Sequence, residues 1–450
     1  MPNPAPRLSV PRSTSRRTFL RTSAAAALGF PALVRAVNAN SALQVAVVGA
    51  NGQGLSDLGQ IGSHPRVQFT GFCEVDTSRF GPADAKFPGV PHFQDFRQMF
   101  ADLGDKYDAV QVSIPDHMHA RVALEAMRAG KHVYCEKPLT HTVWEARQMR
   151  LQAEKSKVIT QMGNQIHSAS EYRTGVKLVR DGVIGKITAV HSWQSNRGNN
   201  YTGRTSAPST AATPPASLNW DLWLGTAPER EFASGVYHPF NWRDWLDFGG
   251  GTLGDFGCHI LDPVFTALEL TAPTAIRAEN DGLNSQTWPG SERVEYVFPG
   301  TAFTAGKTLP LTWHDGGRRP EAALAQLPAG RELPGSGSLF IGEGGTLVLP
   351  HVGMPQLYPQ EKFAAQPVAK VPGANHYHAW VDAVLAGTQT TDSFSYAGPL
   401  TEAVQLGNVA TRLPGVALEW DAAGMRFAKQ ADADRLLTKE YRKGWEIAPV

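Results

Sequence analysis

Leu43-Gln44-Val45-Ala46-Val47-Val48-Gly49-Ala50-Asn51-Gly52-Gln53-Gly54 decides the fold. A short apolar run that stops at glycine predicts a buried parallel strand. Leu55, Leu58 and Ile61 follow at helical spacing, so the glycines between them and the strand predict a tight turn into a helix. A strand, turn and helix of this kind let backbone amides approach a pyrophosphate at the helix N-terminus. Against the spacing G-x-G-x-x-G, Gly49 and Gly54 stand at the first and third positions. The middle position is Asn51, with the glycine displaced to Gly52. Asn tolerates positive φ better than most residues, so Asn51 is expected to carry the turn.

The chain outward from this turn alternates strand and helix. Val67–Cys73 reads as a second strand ending at Glu74, 20 residues past Gly54. An acid at that spacing accepts hydrogen bonds from ribose hydroxyls, and its charge repels a 2′-phosphate, which favours NAD over NADP. Asp76 is the alternate ribose ligand. Further strands are expected at Asp108–Ile114, His132–Cys135 and Val158–Gln161, with helices at His117–Ala129 and from Thr142 to about Glu154. The pattern predicts an α/β fold built on a doubly wound parallel sheet, with ligands at the carboxyl ends of the strands. Pro115, His119, Glu136 and Lys137 fall at or just past such ends and complete the cofactor-binding set with Gly49, Asn51, Gly52, Gly54, Glu74 and Asp76.

Length and composition narrow the function. A chain of 450 residues holds two or three domains. Lys plus Arg number 42 and Asp plus Glu 41, a net charge of +1, so no global field exists to hold a nucleic acid. Cys73, Cys135 and Cys258 neither make a disulfide framework nor show zinc spacing. Ser15-Arg16-Arg17-Thr18-Phe19-Leu20-Arg21, followed by an Ala-rich apolar stretch too short to span a bilayer, reads as a twin-arginine export signal over residues 1–39. The expected partner is then the twin-arginine machinery and the expected location the periplasm. Residues 40–165 are assigned to the nucleotide domain and 166–450 to a substrate and oligomerisation domain.

In the second half, residues 195–219 lack hydrophobic period and read as a long loop or lid. Trp220, Trp223, Phe232, Tyr237, Phe240, Trp242 and Trp245 follow, with the composition of either a core or a sugar cleft. Asn164, Tyr237, Trp242 and Arg243 are the candidate substrate contacts. Gly249-Gly250-Gly251-Thr252-Leu253-Gly254-Asp255-Phe256-Gly257-Cys258-His259 predicts a glycine-rich entry into a helix running to about Leu270. Asp255 and His259, four apart, share one helix face, and an acid with an imidazole can bind and deprotonate hydroxyl groups. No third ligand accompanies the pair, so no metal is expected. His376 and His378 cannot share a helical face and are read as structural. Strands are expected at Lys186–Gln194, Glu292–Phe298 and within Ser338–Leu349, and loops in the Pro-Gly-rich segment 314–337.

Two motifs carry a resemblance. Ile114-Pro115-Asp116-His117-Met118-His119, and Ala129-Gly130-Lys131-His132-Val133-Tyr134-Cys135-Glu136-Lys137-Pro138-Leu139, resemble the Gfo/Idh/MocA oxidoreductases, and the likeness covers most of the chain after the signal. It implies a Rossmann domain followed by an α/β domain with an open, mainly antiparallel sheet that often mediates homo-oligomers. It also implies NAD-dependent hydride transfer at a secondary hydroxyl of a sugar, glycoside or polyol. His259 would be the base, Lys137 the cation on the reacting oxygen, and Asp255 the group holding His259 or a neighbouring hydroxyl. A rival reading is a glycosidase or lyase that oxidises its sugar transiently, with Tyr201 or Tyr237 assisting elimination. A third is a sugar sensor without catalysis. Export in the folded state implies that NAD travels with the protein and stays tightly bound.

Overall fold

The computed structural model describes residues 42–195, 202–208 and 211–450. The twin-arginine segment and Tyr201 lie outside the described residues. β1 (Leu43–Val48) is buried along almost all its length, as an apolar strand with neighbours on both sides must be. It pairs in parallel with β2 (Val67–Cys73) and β4 (Ala109–Val112). β3 (His92–Phe93), β5 (His132–Glu136) and β6 (Thr160–Gly163) complete a six-stranded parallel sheet in the order β3-β2-β1-β4-β5-β6. The reversal of direction lies between β1 and β4, where a doubly wound sheet opens its ligand crevice. β3 escaped the sequence reading because two residues carry no period. The helices fall where expected: Gln53–Ile61 follows the glycine turn, Asp116–Arg128 follows β4, and Val143–Ser156 opens with a Thr142/Glu145 capping box.

A nine-stranded sheet forms the second half. Its strands are β7 (Ile187–Gln194), β8 (Ala275–Asn280), β9 (Glu292–Pro299), β10 (Thr308–Asp315), β11 (Ser336–Gly342), β12 (Gly345–Pro350), β13 (Gln356–Tyr358), β14 (Leu418–Asp421) and β15 (Arg426–Phe427). The order is β13-β12-β11-β7-β10-β9-β8-β14-β15, and every pair is antiparallel except β7 with β10. The expected loop at 314–337 is corrected at both ends, since β10 runs to Asp315 and β11 starts at Ser336. His314 and Asp315 gave no apolar signal because they are buried polar residues. Asp315 earns its place by hydrogen bonds from the Glu292 amide at 2.8 Å and the Trp313 indole at 3.1 Å.

Helices Ser170–Arg180, Gly251–Leu268 and Phe394–Thr411 cover one face of this sheet and share its apolar core. The last of them also packs on Val143–Ser156 of the nucleotide half. The helix His376–Ala386, capped by Asn375, returns to the nucleotide half and lies against Gln53–Ile61. There Trp380 is fully buried, edge-on to Tyr134 at 5.7 Å. No helix among the described residues is long and apolar enough to cross a membrane. Trp380→Ala would leave a cavity where this helix meets the parallel sheet. It is expected to lower stability by about 3–5 kcal/mol, read as a reduced urea midpoint with an unchanged slope.

Candidate active site

The glycine turn is shaped by space and not by sequence spacing alone. Gly49 adopts φ +93°, and a Cβ there would stand 2.1 Å from the Ser113 carbonyl oxygen. A Cβ on Gly54 would stand 2.0 Å from the Gly49 carbonyl oxygen, so this glycine brings helix and strand together. The second positive φ belongs to Gly52, at +58°. Asn51 therefore does not take the left-handed position, contrary to expectation. Its side chain instead pins the loop: Nδ2 donates to the Arg79 carbonyl at 2.7 Å, and Oδ1 accepts from the Gly52 amide at 2.7 Å and the Arg79 guanidinium at 3.1 Å.

A cavity of about 460 Å³ extends from this turn to His259 and also touches Glu74, Pro115, Glu136, Lys137 and Trp242. Glu74 accepts only a long bond of 3.3 Å from the Ala50 amide and one of 3.3 Å from the Asp76 amide. Burial raises its pKa, though nearby donors and Arg79 oppose the shift. Asp76, the alternate ribose ligand, is already engaged by the Ser78 hydroxyl at 2.7 Å and by His238 Nε2 at 3.2 Å. Burial works against its charge, but these hydrogen bonds prevail and lower its pKa. The cradle of close-packed glycines, with a lightly bonded carboxylate at the end of β2, fits a dinucleotide.

At the other end, Lys137 Nζ donates to the Asp255 carboxylate and, at 3.0 Å, to the Asp255 carbonyl oxygen. Burial opposes the lysine charge, yet Asp255 and Glu136 together raise its pKa. Arg243 Nε lies 3.6 Å from the same carboxylate, its guanidinium stacked 4.3 Å from the rings of both Phe240 and Trp242. The expectation that Asp255 holds His259 is corrected: its carboxylate serves Lys137 and Arg243, and His259 Nδ1 is held by the Asn164 side-chain oxygen. Burial, then the nearby Lys137 and His351, drive the His259 pKa well below 6.5, so the imidazole is neutral.

Three further expectations change. Asn164 is fully buried behind His259 and is not a substrate contact. Tyr237 is also buried, against Trp245 at 4.8 Å and Phe248 at 5.4 Å. It belongs to an aromatic core, which removes it as an assistant in elimination. His119 is buried with its ring nitrogens at 2.9 Å from the Pro138 and 2.7 Å from the Ile114 carbonyl oxygens. It braces the two loops that carry Pro115 and Lys137 and does not line the cavity. Trp242 and Arg243 do line it. His376 is structural as read, between the Met162 carbonyl at 3.0 Å and Ser168 at 3.0 Å, and His378 lies outside the cavity on Ser63 at 2.8 Å.

The sequence reading passed over several residues. Asp116 lines the cavity, and burial pushes its pKa up to about 7 against the pull of Arg243. Its place directly after Pro115 was the available signal. Gln165, which donates to Glu136 at 2.8 Å, and His238 also line the cavity, and only the folded chain brings them there. His167, Asp262 and Asp392 place three atoms able to ligate a metal within 4.8 Å of one another. Both oxygens of Asp262, however, already accept hydrogen bonds from Tyr172, Tyr396, Asn164 and His167.

Family models match both halves. The model described as an oxidoreductase family, NAD-binding Rossmann fold, fits residues 43–164, and that described as an oxidoreductase family, C-terminal alpha/beta domain, fits residues 170–301. The chain belongs to the Gfo/Idh/MocA oxidoreductases. Inositol 2-dehydrogenase of Corynebacterium glutamicum is 29% identical over 36% of this chain and 49% of its own length. A glycosyl hydrolase family 109 protein of Saccharopolyspora erythraea is 31% identical over 38% of this chain and 44% of its own. The chain thus spans about half the length of these curated relatives. Among solved structures, the WlbA dehydrogenase of Bordetella pertussis in complex with NADH and UDP-GlcNAcA superposes with a TM-score of 0.59, covering 84% of this chain and 99% of that one. At 14% identity it shows the shared fold.

For a Gfo/Idh/MocA Rossmann domain, the strictest local demand is the glycine turn. Gly49→Ala would need both a strained backbone and a shift of the Ser113 carbonyl. Nucleotide binding is expected to be lost, measured by titrating the variant with NAD and following protein fluorescence.

Proposed function

We propose that this protein is an NAD-dependent oxidoreductase acting at a secondary hydroxyl of a sugar, glycoside or polyol. The observation that carries the reading is one cavity holding the glycine cradle, the charged Lys137 and the neutral His259. Gly49, Gly52 and Glu74 would hold the dinucleotide. NAD, when bound, supplies the acceptor for the electron pair that leaves the carbinol carbon. His259 takes the hydroxyl proton, which a neutral buried imidazole can do without first losing one. Lys137 donates to the same oxygen and stabilises the charge that develops on it. Asp255 fixes the ammonium of Lys137. The inositol dehydrogenase relative supports a cyclic polyol or sugar as substrate class.

The test mixes purified protein and NAD with D-glucose, D-glucuronate, N-acetyl-D-galactosamine and myo-inositol, and follows reduced-nicotinamide fluorescence. At least one is expected to be oxidised. His259→Ala should then cost about 10²–10⁴ in turnover with nucleotide content unchanged, and unaltered turnover would sink the assignment. The pH dependence has a definite sign. The base works deprotonated and its pKa is lowered, so the acid limb of kcat/KM lies below pH 6.5. Release of an aglycone from a chromogenic glycoside without added NAD would favour redox-neutral glycoside cleavage instead.

We also infer export through the twin-arginine route, with the cofactor retained. Arg16-Arg17 in its sequence context supports the route, and a strap from the second half supports retention. Leu218 bridges Asp76, Ser217 accepts from the Thr77 amide at 2.9 Å and from Gln94 at 3.1 Å, and His238, Pro239 and Phe240 line the cavity beyond. Exhaustively dialysed protein is expected to release close to one NAD per chain on denaturation. Protein that emerges empty and turns over only with added NAD overturns retention.

A further inference from the structure

We propose that Asp262 is a positioning residue which, through Asn164, sets the tautomer of His259, so that Nδ1 carries the proton and Nε2 is left as the base. The inference rests on the assignment of His259 as the base and adds the device that prepares it.

The argument starts from the Asn164 amide, which can turn either its oxygen or its NH₂ toward His259. Its other partners decide. Nδ2 donates to the Cys258 carbonyl oxygen at 3.0 Å and to Asp262 Oδ2 at 2.7 Å. A carbonyl can only accept, and so can an ionised carboxylate. Asp262 is fully buried and draws donors from four other side chains: Tyr172 at 2.9 Å, His167 Nδ1 at 2.9 Å, Thr266 at 3.4 Å, and Tyr396. That convergence is the environment of an ionised acceptor. With its nitrogen committed, Asn164 presents Oδ1 to His259 Nδ1. An amide oxygen has no proton to give, so Nδ1 donates and the lone pair of the neutral ring sits on Nε2. Were the amide reversed, Nδ1 would have to accept, Nε2 would carry the proton, and the ring could not act as a base there.

The geometry is built for permanence. Asp262 and His259 lie on the same helix, Gly251–Leu268, and Asn164 closes the link from the end of β6. The charged or titratable groups facing His259 are Lys137, Asp255, His351 and His376. Those facing Asp262 are His167, Asp392, Tyr172, Tyr396, His376 and Cys258. None of the second set lines the cavity that would hold the dinucleotide. The hydrogen-bonded link from Asp262 to His259 runs through Asn164.

The experiment labels the full-length protein with ¹⁵N-histidine and identifies the His259 resonances by their loss in His259→Gln. The parent protein is expected to show a protonated Nδ1 and an unprotonated Nε2. Asp262→Asn offers an amide that can donate toward Asn164 and release it to turn. The expected result is a shift of the His259 ring toward the Nε2-protonated tautomer, with turnover of the responsive sugar down about 10²-fold or more and KM and bound NAD unchanged. Asn164→Asp presents oxygen to His259 in either rotation. It should share one proton with Asp262, 2.7 Å away, and keep the Nδ1-protonated tautomer of His259. The proposal is overturned if the tautomer is unchanged in Asp262→Asn, or if that variant loses NAD in proportion to turnover. If Asp262→Asn does not fold, Asn164→Asp decides, and an Nε2-protonated His259 in that variant overturns the proposal. Full turnover in His259→Gln would remove the base assignment, while the tautomer measurement would still report on Asp262.

Discussion

The ion pair between Lys137 and Asp255 joins the two halves of the molecule at the end of the cavity opposite the glycine turn. Lys137 stands at the end of β5 and Asp255 in the early turns of Gly251–Leu268. Taking two opposite charges out of water is costly unless geometry and further hydrogen bonds offset the loss. Here the ammonium gains the Asp255 carbonyl oxygen, and the carboxylate gains Arg243 nearby. The pair is thus a fixed dipole that does not need to reorganise when an oxygen beside it becomes negative.

Burial disfavours the charged form of several carboxyls around that pair. Burial pushes Asp116 up to about 7 and Glu136 well above the usual carboxylate range, with Asp57 beside Glu136 held up at about 6. The same burial acts in the opposite sense on His259 and keeps it neutral. Burial thus leaves the imidazole neutral, while Lys137 keeps its charge against the same burial because the neighbouring carboxylates hold it.

The parallel sheet was legible because its strands are apolar runs with glycine or polar punctuation, a local signal. Lys137 and His259 were legible because each sits in a compact motif at a strand end or helix start. What failed was partner choice. Asp255 and His259 share a helix face, yet the first is drawn to Lys137 and the second to Asn164, residues 118 and 95 positions away. Tyr237 and His119 carry the right chemistry in the right region, but burial turns one into core and the other into a brace. β10 was missed, and its last two residues were read as loop because they are polar groups satisfied by neighbours that only the sheet supplies.

The strap over the nucleotide edge follows from the same balance of forces. Its residues between 211 and 249 carry an aromatic core of their own, in which Trp220 and Trp223 stack at 4.7 Å and Trp223 meets Phe248 edge-on at 4.9 Å. A segment with its own apolar cluster does not rely on the dinucleotide for its shape. Its backbone can therefore hydrogen-bond to the Val75–Thr77 edge whether or not a cofactor lies beneath. A preformed cover would reduce the ordering cost of binding, and the proposed retention would follow if release required these contacts to open. The retention proposed above would then depend on the packing of Trp220 and Trp223 within this cluster.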